Sequence, residues 1–187
     1  MRIIKSIRGL HDRVFTGLET VAGSWFMGLA ARLVFSSVLL TFFINSAMTK
    51  LGMGFPDMLI PAIGAYAQIV PPVAEAAGYD VSAIALFPWK LMVLAGTYAE
   101  LLLPLMLLVG LFTRFTALSL IGFIVVMSFV DVQFHGLDAK SIGMVFDRVQ
   151  DAIIADQRLL WIFPLLYLTL KGAGPVSVDG LLAARAR

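Results

Sequence analysis

Read as a pattern of apolar and polar positions, the chain alternates long greasy runs with shorter mixed segments. Residues Ile3, Ile7, Leu10, Val14, Leu18 and Val21 recur at steps of three and four, with Arg2, Lys5, Arg8 and Arg13 between them. That spacing predicts a basic amphipathic helix over residues 1–22 lying on a membrane surface. A signal peptide is the competing reading, but Arg32 interrupts the apolar part and no small-x-small cleavage site ends it. Four apolar runs follow, at about 25–47, 91–112, 115–131 and 158–172. Each approaches the roughly 20 residues needed to cross a bilayer as a helix. The chain therefore predicts an all-α polytopic membrane protein, a four-helix transmembrane bundle over 23–178 with a short tail helix over 179–187.

Between the first and second runs, residues 51–88 carry Gly52, Gly54, Pro56, Pro61, Pro71, Pro72, Gly78 and Pro88 among Ala, Ile, Leu and Tyr. Such a mixture predicts short interfacial helices lying as a lid over the bundle. Thr113 and Arg114 make a turn so short that the second and third runs must form a hairpin. In the second outer loop, 132–157, Ile142, Val145, Phe146, Val149 and Ile153 share one helical face, predicting another amphipathic surface helix. Gly172-Ala173-Gly174-Pro175 reads as a helix terminus, with Asp179 as N-cap of the tail helix. It follows a helix instead of a strand and lacks a downstream lysine, so it does not read as a phosphate loop.

Composition supports the membrane reading. The 187 residues are 60% hydrophobic and only 14% charged, with mean hydropathy +0.93, whereas charged residues make up about a quarter of an ordinary soluble domain. The pI near 9.1 does not indicate nucleic acid, because the basic residues gather at the chain ends. Instead Arg2, Lys5, Arg8, Arg13, Arg114, Lys171, Arg185 and Arg187 fall on one side of the bundle, which predicts cytoplasmic termini by the positive-inside rule. With no cysteine and only two histidines, His11 and His135, the chain is expected to carry no disulfide, metal site or cofactor of its own.

Chemistry is expected where charges interrupt the greasy runs. Arg32 and Glu100 are each alone within a span, and a charge at a helix centre costs about 2.5–3.5 kcal/mol, so such residues usually face the interior and find partners. The expectation is an Arg32–Glu100 pair, either pinning two helices or holding a polar headgroup and passing protons. Pro104, four residues on, leaves the Glu100 carbonyl without its helical donor, and Gly96 permits close approach of another helix. At the far end, Lys50, Lys90, Asp131, His135, Asp156 and Arg158 each lie near a span boundary and are expected to converge, or to serve as solvated anchors. His135 is the second candidate for proton exchange. Trp161, Tyr167 and Tyr98 read as packing or interfacial aromatics before quinone-stacking ones, and Trp161 is kept among the binding candidates.

These landmarks together resemble the DoxX family of small bacterial membrane proteins. The matching pieces are Arg32 with Lys50-Leu51, Glu100, Gly110-Leu111-Phe112-Thr113-Arg114, Asp156-Gln157-Arg158-Leu159-Leu160-Trp161, and Gly172-Ala173-Gly174-Pro175 with Ser177-Val178-Asp179. The likeness spans most of 25–182, while the 51–88 insertion and the basic N-terminal helix depart from the pattern. The resemblance implies a bacterial inner-membrane subunit associated with quinol oxidase, thiosulfate:quinone oxidoreductase or thiol and oxidative-stress complexes. Three readings follow: a subunit presenting a quinone or similar carrier to a protein redox partner, a non-catalytic scaffold or assembly factor, and a small-solute or peptide transporter, which the scarcity of intramembrane polar residues disfavours. Lipid is an expected partner in all three, homo-oligomerisation is left open, and so is catalysis by the chain itself.

Overall fold

The computed structural model describes residues 2–23 and 25–186, with side chains from Ile4 onward. Among them are nine α-helices and no strand. Helix α1 (Arg2–Ala22) precedes α2 (Phe26–Met48); α3 (Ile63–Ile69) and α4 (Pro71–Ala76) lie in the first long loop; α5 (Leu91–Val109) and α6 (Thr113–Gln133) form the hairpin; α7 (Ala139–Ile142), α8 (Leu159–Lys171) and α9 (Val178–Arg185) complete the chain. Four of these, α2, α5, α6 and α8 with its preceding wide turn from Ile153, are long and apolar enough to cross a membrane. Neighbour packs on neighbour in the order α2, α5, α6, α8 and back to α2, closing a ring.

The buried positions show how the ring is built. On α5, Val93, Thr97, Glu100, Pro104 and Leu107 are buried, and on α2, Gly28, Arg32, Phe35, Ser36, Leu39, Phe43 and Ala47. Steps of three and four make these the seams of knobs-into-holes helix packing. Leu120, Ile124, Leu165 and Leu168 complete the core from α6 and α8. Val34, Val38, Val126 and Phe163 remain more than half exposed, the arrangement of a bundle whose outer face meets lipid instead of water.

The first loop folds as expected into a helical lid. Ala65, Tyr66, Val70, Ala74 and Ile84 bury themselves against Val93 of α5. Gly96 admits the lid: a Cβ there would sit 3.2 Å from Ile69 Cδ1. Tyr98 ties the lid down further by donating from its hydroxyl to the Leu59 carbonyl at 2.8 Å.

Three local expectations are overturned. The hairpin turn is Gly110–Phe112, and Thr113 and Arg114 already belong to α6. The amphipathic helix across 138–156 does not form: only Ala139–Ile142 is helical before a further turn at Ile153. Gly143 takes φ +69 and Phe146 φ +66, conformations that end a right-handed helix. A Cβ at Gly143 would fall 2.2 Å from the Ala152 Cβ, so the chain doubles back where periodicity suggests it continues. Asp179, moreover, does not cap the tail helix. Ser177 does, its hydroxyl accepting from the Gly180 amide at 3.0 Å, while Asp179 reaches the α5–α6 hairpin and accepts from Phe112 N and Thr113 N, both at 2.8 Å. Helix α1 forms over the expected residues; Arg2 and Ile3 side chains, and Arg187 of the charge tally, lie outside what is described.

Candidate functional site

Arg32 and Glu100 do not meet. Arg32 stands six residues into α2, about 9 Å along the helix, whereas Glu100 is nine residues from either end of α5, about 14 Å in. Side chains on a helix tilt toward its N-terminus, and the two helices run antiparallel, so the guanidinium leans toward the end carrying both termini and the carboxylate toward the opposite end. Each finds another partner. Arg32 donates through Nη1 to the Leu108 carbonyl at 2.8 Å and through Nη2 to the Val176 carbonyl. It thereby takes up a carbonyl in the last turn of α5 and locks the 172–179 strap against the bundle. Gly110, at φ +72, makes room for it, since a Cβ there would meet Arg32 Nη1 at 2.9 Å.

The partner of Glu100 is Lys50, with Nζ 2.7 Å from Oε2 and side-chain exposures of 6% and 2%. Lys50 sits just beyond α2 and folds back along it, donating to Ser46 Oγ at 2.8 Å and to the Ser46 carbonyl at 3.2 Å. Its backbone is fixed by the lid: the Ala62 amide donates to Lys50 O at 2.8 Å, and Leu51 bridges to Pro61. The ion pair fills Oε2, whereas the buried Thr97 hydroxyl one turn away on the same face has no partner. Charge is balanced here while one buried hydroxyl is left open, an unusual state for a group this deeply buried. With so little of either side chain exposed, the pair is closed off.

A second polar centre joins α6 to the start of α8, across the ring from the first. Arg158, 6% exposed, donates through Nη1 to Ser128 Oγ at 2.9 Å and through Nη2 to Asp131 Oδ2. The other carboxylate oxygen of Asp131 stands 3.0 Å from the Nδ1 of His135, four residues on and just past the end of α6. The expected convergence of boundary charges is thus split. Lys50 joins Glu100; Asp131, His135 and Arg158 form their own triad. Asp156 accepts from the Ala152 amide at 3.0 Å within its own turn, and the Asp80 carboxyl is held low first by the Ser82 hydroxyl and amide, with Lys90 adding to them.

Trp161 packs on Phe42 with ring centroids 5.7 Å apart, and with Tyr167 it borders the main core, so both serve packing. The contribution of Ser46, Thr97 and Ser128 was not singled out by sequence, because a hydroxyl inside an apolar helix ordinarily bonds its own backbone. Their signal was position: Thr97 lies three residues before Glu100, and Ser128 three before Asp131. No group of three or more histidine or acidic side chains with metal-binding geometry occurs among the described residues. Compared with family models, curated proteins and solved structures, the chain finds no match in any of the three.

Proposed function

We propose that this membrane protein is a DoxX-like subunit of a bacterial inner-membrane redox system, with both termini cytoplasmic, and that its Lys50–Glu100 centre takes the polar head of a quinone or similar lipid-soluble carrier for a partner oxidoreductase. The observation that carries the reading is the buried Lys50–Glu100 pair together with the unpartnered Thr97 hydroxyl one turn away on the same face of α5. A quinone head offers complementary groups. The Lys50 ammonium donates to a carbonyl oxygen, the Thr97 hydroxyl donates to or accepts from the ring substituents, and Glu100 accepts from a hydroxyl of the reduced form and handles its proton. Electron transfer belongs to the partner. Access from the bilayer requires the Leu51–Pro61 closure that fixes Lys50, or α3 over Gly96, to move aside.

The test replaces the whole pair, because removing one member alone strands the other: breaking a buried ion pair costs about 3–5 kcal/mol, while a well-packed apolar substitute is often neutral. K50M/E100L is expected to remain folded and inserted yet lose at least about tenfold in the affinity for a short-chain quinone measured by titration, about 1.4 kcal/mol. Unchanged affinity in this variant, or no saturable binding to wild-type protein with and without its partner, overturns the proposal.

A non-catalytic scaffold is the second reading, and one observation favours it. Met53, Phe55 and Phe146, on the two long loops, are 95%, 83% and 104% exposed, as apolar tips awaiting another surface are. Full partner activity in K50M/E100L selects this reading.

A further inference from the structure

At the end of the bundle carrying the termini, a recess of about 490 Å³ lies between the α5–α6 hairpin and the strap that follows α8. Its walls include Arg114, Lys171, Gly172, Phe112 and Phe115, with Asp179 at one side. Arg114 folds back over the strap, its Nε 3.4 Å from where a Cβ on Gly172 would stand, which places the guanidinium beside the chain segment bearing Lys171. Neither cation has a carboxylate partner within 4.0 Å among the described residues. The one acid present, Asp179, is already engaged by the Phe112 and Thr113 amides. Two cations therefore face a single, occupied carboxylate.

The surroundings are as informative as the charges. Phe112 and Phe115 are 62% and 67% exposed, immediately beside the basic recess and at the end of two spans. Exposed apolar rings at a span end border the acyl-chain region, and basic recesses between spans are where anionic headgroups are held.

We propose that this recess is a binding site for an anionic phospholipid, with the phosphate held by Arg114 and Lys171 and the acyl chains descending past Phe112 and Phe115. Recognition is by side-chain cations and not by a phosphate-cradling loop, in keeping with Gly172-Ala173-Gly174 being a helix terminus. The proposal is independent of what the Lys50–Glu100 centre does. A phospholipid is chosen over a free phosphate because the exposed rings adjoin the charges, and a soluble anion gains nothing from them.

Native mass spectrometry of the full chain, with phosphatidylglycerol or phosphatidylcholine added in equal amounts, tests it. Wild-type protein is expected to retain phosphatidylglycerol preferentially. Since a cation near an anionic headgroup is worth about a factor of five in affinity, R114Q and K171Q should each lose about fivefold and the double variant about twentyfold or more. R114K should keep most of the preference. Equal retention of both lipids by the wild type, or unchanged retention by the double variant, overturns the site. Millimolar inorganic phosphate that fully displaces the lipid overturns the lipid assignment and leaves a phosphate site. Photoactivatable phosphatidylglycerol on the wild type needs no variant to fold: label on the 112–115 segment is expected, and label confined to other segments counts against the proposal.

Discussion

Lys50 and Glu100 illustrate how a side chain's direction decides its partner. The glutamate leans toward the lid because α5 begins there, and the lysine leans back because it follows the last turn of α2; neither fact depends on how many charges a span contains. Arg32 leans the opposite way and becomes the clamp for two backbone carbonyls, of Leu108 and Val176. At the same scale, Asp80 shows what an exposed carboxylate does in the lid. The Ser82 hydroxyl at 2.7 Å and amide at 2.8 Å hold its carboxyl below the ordinary value of 3.8. A depressed carboxylate stabilises the folded turn above its ordinary pKa, and that contribution disappears as pH falls through the depressed value. Hydrogen-exchange protection of the Ser82 amide should therefore be constant at neutral pH and fall in acid, and D80N should remove the acid-dependent step. Protection that is flat down to the acid limit in the wild type contradicts this.

Elements here are terminated and tied by residues distant in sequence. The hairpin needs a cap because Phe112, at the N-cap position of α6 with φ +46, offers no side-chain acceptor. Asp179 supplies it across 66 residues. Loss of an N-cap costs about 0.5–2 kcal/mol, so D179A should lower stability in a chemical-denaturation series by about that amount, and D179N should recover part of it. A loss indistinguishable from zero means that the strap, and not the cap, holds the hairpin. Gly28 belongs to the same junction: a Cβ there would meet the Ala173 carbonyl at 2.5 Å, so the start of α2 packs directly on the strap. The spans were legible because apolar runs of membrane length leave few alternatives. The failed helix over 138–156 was not, because apolar spacing says which face would be buried but not whether a glycine between two half-turns will take a positive φ.

For the whole molecule, the bundle and α1 are separate in energetic terms. The described apolar positions of α1, Ile4, Ile7, Leu10, Val14, Leu18 and Val21, are all between 48% and 71% exposed. A chain truncated before Gly23 should therefore keep the melting temperature of the bundle in detergent within a few degrees, since a loss of 1 kcal/mol would shift it by about 2–4 °C at this size. It should bind anionic vesicles less tightly once extracted, because the basic face carries Lys5, Arg8 and Arg13. A large drop in melting temperature shows instead that α1 packs on the bundle. The ring of four helices also explains why polar groups divide into two centres. Each centre sits in one helix pair, α2 with α5 and α6 with α8, and charges from different pairs have an apolar core between them.

By itself, the sequence determined the class of solvent, the number of spans and the presence of charges that require partners, because those follow from composition and run length along one dimension. Tertiary structure decided which partners they found. Pairing depends on the direction in which each helix runs, the tilt of its side chains and the closure of the 51–61 lid over Lys50, and these are three-dimensional relations that no spacing along the chain encodes.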